Sequence, residues 1–152
     1  MANERLSRTV EGGMSVIVGS VDANGVATCC RGVAISTSDD FDTVTVYLPV
    51  ATSQETLANV ATTRRVAILC TNPLDHLSIQ MKGLSRGVRV ANDSELTLVK
   101  ERLEQWADAL DTIGVPRRVT RGTAHWPAFA IDVSVEEVFD QTPGPKAGNA
   151  LK

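Results

Sequence analysis

Between His76 and Ala91 the chain runs as one long extended segment whose apolar phase changes part-way along. Leu77, Ile79 and Met81 alternate onto one face, and His76, Ser78, Gln80 and Lys82 onto the other. Beyond Gly83 the apolar positions become Leu84, Val88 and Val90, so the alternation slips. A slip at a glycine predicts a bulge or a sharp bend, because only there can the strand turn without a side chain in the way. Strands that bend like this close barrels.

The remaining elements agree with that constraint. Met14 to Asp22 is rich in Val and Ile, Asp22-Ala23-Asn24-Gly25 supplies a tight turn, and Val26 to Ser36 runs apolar again, which is the pattern of a β-hairpin. Thr37 to Asp42 forms a second turn before the strand Thr43 to Leu48, which Pro49 ends. Thr52 or Ser53 is placed to cap a helix over Gln54 to Ala61, followed by a strand from Arg65 to Cys70. After the long strand, Asn92 or Asp93 opens a second helix in which Leu96, Val99, Leu103, Trp106 and Leu110 recur at helical spacing, with Gly114 and Pro116 as its end. A basic connector, Arg117 to Gly122, leads to a last strand from Phe129 to Val138. The order βββ-α-ββ-α-β predicts a mainly β fold, a six-stranded antiparallel barrel with two covering helices. One domain over 1–152 is expected, with a Pro/Gly-rich tail at 141–152 in which Pro143-Gly144-Pro145 fixes a bent, extended path.

Composition removes several function classes. A net charge of −3 gives no basic footprint for nucleic acid. No apolar run approaches the roughly 20 residues of a membrane helix, and Met1-Ala2-Asn3-Glu4-Arg5 lacks a secretory pattern, so the cytoplasm is the expected location. Cys29, Cys30 and Cys70 form no CxxC pair and are read as small buried side chains, and no metal site is expected. His76 and His125 read as surface or packing histidines, Trp106 as core, and Arg117, Arg118 and Arg121 as a solvated face. No residue stands out as a catalytic acid, base or nucleophile. Arg31 does stand out, because alternation puts it in a row with Cys29, Val33 and Ile35, where an unpaired guanidinium is costly. An anionic partner is expected for it.

Four local sequences resemble the pyridoxamine 5′-phosphate oxidase-like family, the FMN-binding split barrels. They are Arg31-Gly32-Val33-Ala34-Ile35-Ser36, Thr63-Arg64-Arg65-Val66-Ala67-Ile68-Leu69, Gln80-Met81-Lys82-Gly83 and the end from Val138 to Gly148. The resemblance implies a homodimer with FMN in a cleft between subunits, acting as an oxidoreductase on a small flat substrate. It also implies cofactor contacts at Arg31, Ser36, Ser53, Gln54, Thr56, Ser78, Gln80 and Lys82. The family's strand lysine falls on Ser36 and its Ser-Arg-Lys run on Gln54-Glu55-Thr56, so two phosphate-binding cations are replaced and Glu55 adds a negative charge. Lys82, Arg64 or the tail's Lys146 are the cations available to replace them. The tail is expected to close over the ligand cleft. The alternative implied by the same departures is a split barrel that has lost its flavin phosphate site and binds haem, another tetrapyrrole or an anion, or has no cofactor.

Overall fold

A computed structural model describes residues 2–152, with side chains from Glu4 onward. Met1, which opens the stretch read for a secretory pattern, lies outside the described residues. The elements are α1 (Ala2–Val10), β1 (Ser15–Val21), β2 (Ala27–Gly32), β3 (Ala34–Thr37), β4 (Thr43–Pro49), α2 (Gln54–Thr63), β5 (Arg65–Thr71), β6 (Ser78–Val90), α3 (Asp93–Thr112), α4 (Arg117–Arg121), β7 (Ala128–Asp140) and β8 (Asn149–Ala150). The strands pair antiparallel in the order β2-β1-β5-β6-β7-β4-β3, with β8 added to β7.

The two ends of that order, β2 and β3, are consecutive in the chain and separated by Val33 alone. They are one strand that leaves β1 for β4, and Val33 N–H donates to Tyr47 O at the crossing. The expected second strand is therefore divided, and counting β2 and β3 as one restores the six strands of a barrel, with β8 as a short addition. A single apolar cluster draws Val16 and Val18 of β1, Ile35 of β3, Val46 of β4, Ile68 of β5, Met81 of β6 and Ile131 of β7 into one interior. Gly32 sits where β1 and β4 converge, and a Cβ there would meet Val16 Cγ1 at 2.8 Å.

The bend inferred at Gly83 is present. The β6–β7 register shifts between Lys82 and Gly83 and again between Ser85 and Gly87. A Cβ on Gly83 would lie 1.9 Å from Ser134 O, so the two backbones approach as closely as they do only because the residue is glycine.

Four helices are described where two were expected. Val10 and Leu6 of α1 pack against the barrel interior, and the opening segment was read only for a targeting signal. The basic connector is also helical: Arg117 pairs with Asp108 and Asp111, and Arg121 with Glu104, so α3 holds α4 by charge. That basic cluster is thereby largely neutralised. The first expected helix closes the barrel: Val60 joins the core, Asn59 Nδ2 donates to Ser20 Oγ at 3.2 Å, and Thr63 Oγ1 donates to Val21 O at 2.9 Å. The second expected helix, α3, begins in a capping box, with Asn92 accepting from Ser94 and Glu95 amides and Glu95 reaching back to Asn92 N–H. No helix is long and apolar enough to cross a membrane among the described residues.

Candidate functional site

Each strand of the barrel has an inward and an outward face, and the outward face differs in its two halves. Over β3, β4 and β7 it is covered by α3, with Val99 fully buried against Ala34, Tyr47, Ala128 and Ala130. Over β2, β1, β5 and β6 it is bare, because α1 and α2 send their apolar residues to the inward side.

Cross-strand register decides what the bare half presents. One row runs Arg31, Ile17, Leu69, Gln80 and Phe139, and the next runs Cys29, Gly19, Ala67, Lys82 and Glu137. On the other side of the Arg31 row lie Ser15, Thr71 and Ser78. Arg31 Nη1 donates to Ser15 Oγ at 2.9 Å, and the Thr71 and Ser78 hydroxyls are 3.0 Å apart. Gln141 Nε2 donates to Gln80 Oε1 at 3.2 Å, and Gln141 N–H donates to Ser78 O at 2.8 Å. A polar end built on Arg31, Ser15, Ser78 and Gln80 thus adjoins an apolar middle of Ile17 and Leu69. Beyond it an open groove of about 490 Å³ has small residues, Gly19, Ala27, Cys29 and Ala67, on its floor.

Arg31 lacks the expected anionic partner. Its guanidinium carbon lies 4.8 Å from the Trp106 ring centroid, and no carboxylate among the described residues forms an ion pair with it. A hydroxyl and an indole face hold the charge at the rim of α3, which offsets part of its desolvation cost and leaves N–H donors free. Trp106 is accordingly half-buried rather than core, and its Nε1 is buried without a hydrogen-bond partner among the described residues. Cys29 is exposed, which corrects the reading of all three cysteines as buried. Burial pushes the Cys30 thiol up against the pull of its Thr56 hydrogen bond, and pushes the fully buried Cys70 to about 12, so neither supplies a thiolate near neutral pH.

The structure divides the residues inferred from sequence. Arg31, Ser78, Gln80 and Lys82 share the bare outward face. Lys82 is exposed with its Nζ 4.9 Å from the Phe139 centroid, and Ser78 is buried, its hydroxyl donating to His76 O at 2.8 Å. Ser53 is fully buried at the start of α2 and donates its hydroxyl to Pro49 O at 2.7 Å; Thr56 is buried toward Cys30. Gln54 and Glu55 are exposed there. Ser36 pairs with Thr45 in the covered half, beside Tyr47. Lys146 is exposed in the tail, where it helps to hold Asp140 below the usual carboxylate range behind the larger effect of the Thr142 hydroxyl and amide.

The tail itself returns along β7: Gly148 N–H donates to Asp140 O, Leu151 N–H donates to Val138 O, and Lys152 pairs with Asp42. Ser15, Trp106, Cys29, Gly19, Ala67 and Arg65 were not singled out from sequence as part of this surface. Their common signal is register, which one strand read alone does not carry.

No protein-family model matches the chain, and no curated protein does. Solved structures match over most of its length. HupZ of Group A Streptococcus is 17% identical with a TM-score of 0.57, covering 95% of this chain and 98% of its own. A pyridoxamine 5′-phosphate oxidase homologue of Lactobacillus delbrueckii is 16% identical with a TM-score of 0.56, covering 90% and 94%. An FMN-binding protein of Syntrophomonas wolfei is 11% identical with a TM-score of 0.57, covering 90% and 84%. This chain has the split-barrel fold of the pyridoxamine 5′-phosphate oxidase-like proteins. At these identities the likeness is one of fold.

Within that fold, the first turn of α2 does not suit a flavin phosphate. Ser53 and Thr56 spend their hydroxyls inside the barrel, and the exposed residues there are an amide and a carboxylate. The flat outward face beside Arg31 does suit an aromatic ring, with Ile17 and Leu69 to stack on and Gln80 to hydrogen-bond its edge.

Proposed function

We propose that this protein is a flavin-binding split barrel that works as a homodimer, with FMN or a related flavin laid on the bare outward face between two copies. The bound flavin would supply electron transfer to a small flat substrate. The protein's share is to bind and orient: Ile17 and Leu69 exclude water from the ring, Gln80 hydrogen-bonds its polar edge, and Arg31 attracts the anionic end. The observation that carries this reading is the placement of Arg31, Gln80 and Lys82 on one uncovered face of adjacent strands. The FMN-binding protein of the same fold supports the choice of ligand.

A second reading rests on the inward-turned Ser53 and Thr56 and the exposed Glu55: a split barrel without a phosphate site that binds haem or another anionic tetrapyrrole. An absorption spectrum of the freshly purified protein separates the two, since flavin and haem have different visible bands. FMN titration with fluorescence quenching then tests the first directly. Saturable quenching is expected; a haem spectrum with no FMN uptake would establish the second reading instead.

A further inference from the structure

Arg31 is held by two neutral groups. Its Nη1 donates to Ser15 Oγ at 2.9 Å and its guanidinium carbon stands 4.8 Å from the Trp106 centroid, with no other side-chain hydrogen bond among the described residues. Both groups are fixed from behind. Gly13 packs so closely on α3 that a Cβ there would lie 2.6 Å from Gln105 Cβ, which seats Ser15, two residues on, beside the turn that carries Trp106. One turn before Trp106, Arg102 Nη2 donates to Glu11 Oε2 at 3.3 Å, while Glu11 Oε1 accepts from the Thr37 amide and hydroxyl at 2.7 and 2.8 Å. Trp106 itself lies on the flank of the buried stripe Val99, Leu103 and Ala107, and its Nε1 is buried with no partner among the described residues. A leucine or phenylalanine would cover that flank without orphaning a donor, so packing does not account for an indole. The electron-rich face it turns toward a cation does.

We infer that Trp106 and Ser15 are positioning residues for phosphate recognition: they hold the Arg31 guanidinium in one place with its charge uncancelled, so that the anionic end of the ligand meets a preorganised donor. This rests on the flavin reading above and assigns the residues that set its preference for a phosphorylated ligand over the same ring without phosphate. A carboxylate in place of either group would orient the arginine but also neutralise it, and the ligand would then have to displace that carboxylate. An arginine with no partner would keep its charge but lose rotamer freedom on binding. A hydroxyl and a ring face avoid both costs. The serine occupies one N–H and leaves the remaining ones to the ligand.

The ratio of the riboflavin to the FMN dissociation constant, from titrations read by flavin fluorescence, isolates phosphate recognition because the ring's share of binding cancels. Trp106→Leu should lower that ratio by about threefold or more, Trp106→Phe by less, and Ser15→Ala by about twofold or more. In an Arg31→Ala background Trp106→Leu should leave the ratio where Arg31→Ala alone puts it, since the indole acts through the guanidinium. A purely structural Trp106 would weaken both ligands alike and leave the ratio unmoved. Far-UV circular dichroism and the melting curve identify any variant that has not folded; if Trp106→Leu is one, Trp106→Phe and Ser15→Ala carry the test. Folded variants that keep the wild-type ratio, or a Trp106→Leu loss that persists without Arg31, would overturn the inference while FMN binding by the wild type upholds the flavin reading. A wild type that binds FMN and riboflavin equally would overturn the inference and the role of Arg31 but leave ring binding standing. One that binds neither would overturn the inference and the flavin reading together.

Discussion

The two halves of the outward face are built from the same sheet, and they handle polar groups in opposite ways. Under α3 the polar groups are matched: Tyr47 Oη donates to Glu95 Oε1 at 2.8 Å, Arg89 spans both Glu95 oxygens at 2.7 Å, and Thr45 Oγ1 donates to Asp132 at 2.7 Å. On the bare half Arg31 rests on a hydroxyl and an indole, and Arg65, Lys82, Glu136 and Glu137 have no ion-pair partners among the described residues. Folding alone accounts for the first arrangement, because a matched network under a helix fixes one docking of α3. The second leaves exposed charges to water, where pairing would contribute little to folding, and so keeps them available to a docked molecule. Stability should therefore reside in the covered half and binding in the bare half.

The sharpest way to break that contrast is to cut the apolar stripe of α3. Leu103→Ala removes a side chain that is 5% exposed, and should cost about 2–5 kcal/mol, read as a lowered melting temperature. Gln80→Ala on the bare half should stay within about 0.5 kcal/mol of the wild type. Comparable losses at both sites would erase the distinction.

Next in size is Arg31→Ala. It should weaken FMN binding by about 1.5–3 kcal/mol, roughly ten- to a hundredfold in the dissociation constant, with only a small shift in melting temperature. Riboflavin, which lacks the phosphate, should lose much less. Equal losses for the two ligands would make Arg31 a packing residue of the α3 rim.

Glu95→Gln should cost about 1 kcal/mol, since it loosens Arg89 and Tyr47 and weakens the helix cap together. The Arg89 hydrogen bond, followed by the Asn92 amide and the Tyr47 hydroxyl, holds the Glu95 carboxyl down at about 2 against the opposing effect of burial. Its folded value is depressed, so the stability it contributes is complete above the ordinary carboxylate value of 4.5 and fades as pH falls toward 2. Acid melts of the wild type and Glu95→Gln should converge over that window; a constant gap would contradict the assignment.

The smallest effect belongs to the tail. Truncation after Gln141 removes the return along β7 and the Lys152–Asp42 pair, and should cost about 1 kcal/mol or less. Ligand retention should fall with it if the tail also shields the end of the bare face near Gln80; unchanged retention would make the tail purely an edge strand.

The fold was legible where a local rule and the tertiary structure coincide. The slipped alternation at Gly83 marked the β6 bend, and Asn92 with the Leu96 to Leu110 spacing marked α3. Val33 was not legible, because nothing in the sequence marks the slip there: alternation put Arg31 in one row with Cys29, Val33 and Ile35, whereas the structure turns Arg31 outward beside Ile17 and Ile35 into the interior cluster, with the phase changing where the strand changes partners. The helix at Arg117–Arg121 was missed for a different reason: its support is Asp108, Asp111 and Glu104 on another helix, which no window of neighbouring residues contains. At the candidate site, alternation placed Arg31, Gln80 and Lys82 on their strand faces, and register brought those faces together. Ser53 and Thr56 went the other way, since a helix start can aim a hydroxyl at solvent or at the barrel and only packing chooses.

Cys29 offers the most direct test of the claim that the bare half is a working surface between two copies. It is exposed on the groove floor, whereas Cys70 is fully buried and Cys30 half-buried. Its alkylation by iodoacetamide, followed by intact mass spectrometry across a range of protein concentrations, reads the cover on that face. The rate per Cys29 should be fast in dilute protein and fall by about tenfold or more as the dimer forms. A Cys29 rate that is the same at every concentration, in a protein that sedimentation shows to be dimeric, would mean that the two copies meet elsewhere and that the bare half is not the surface they share.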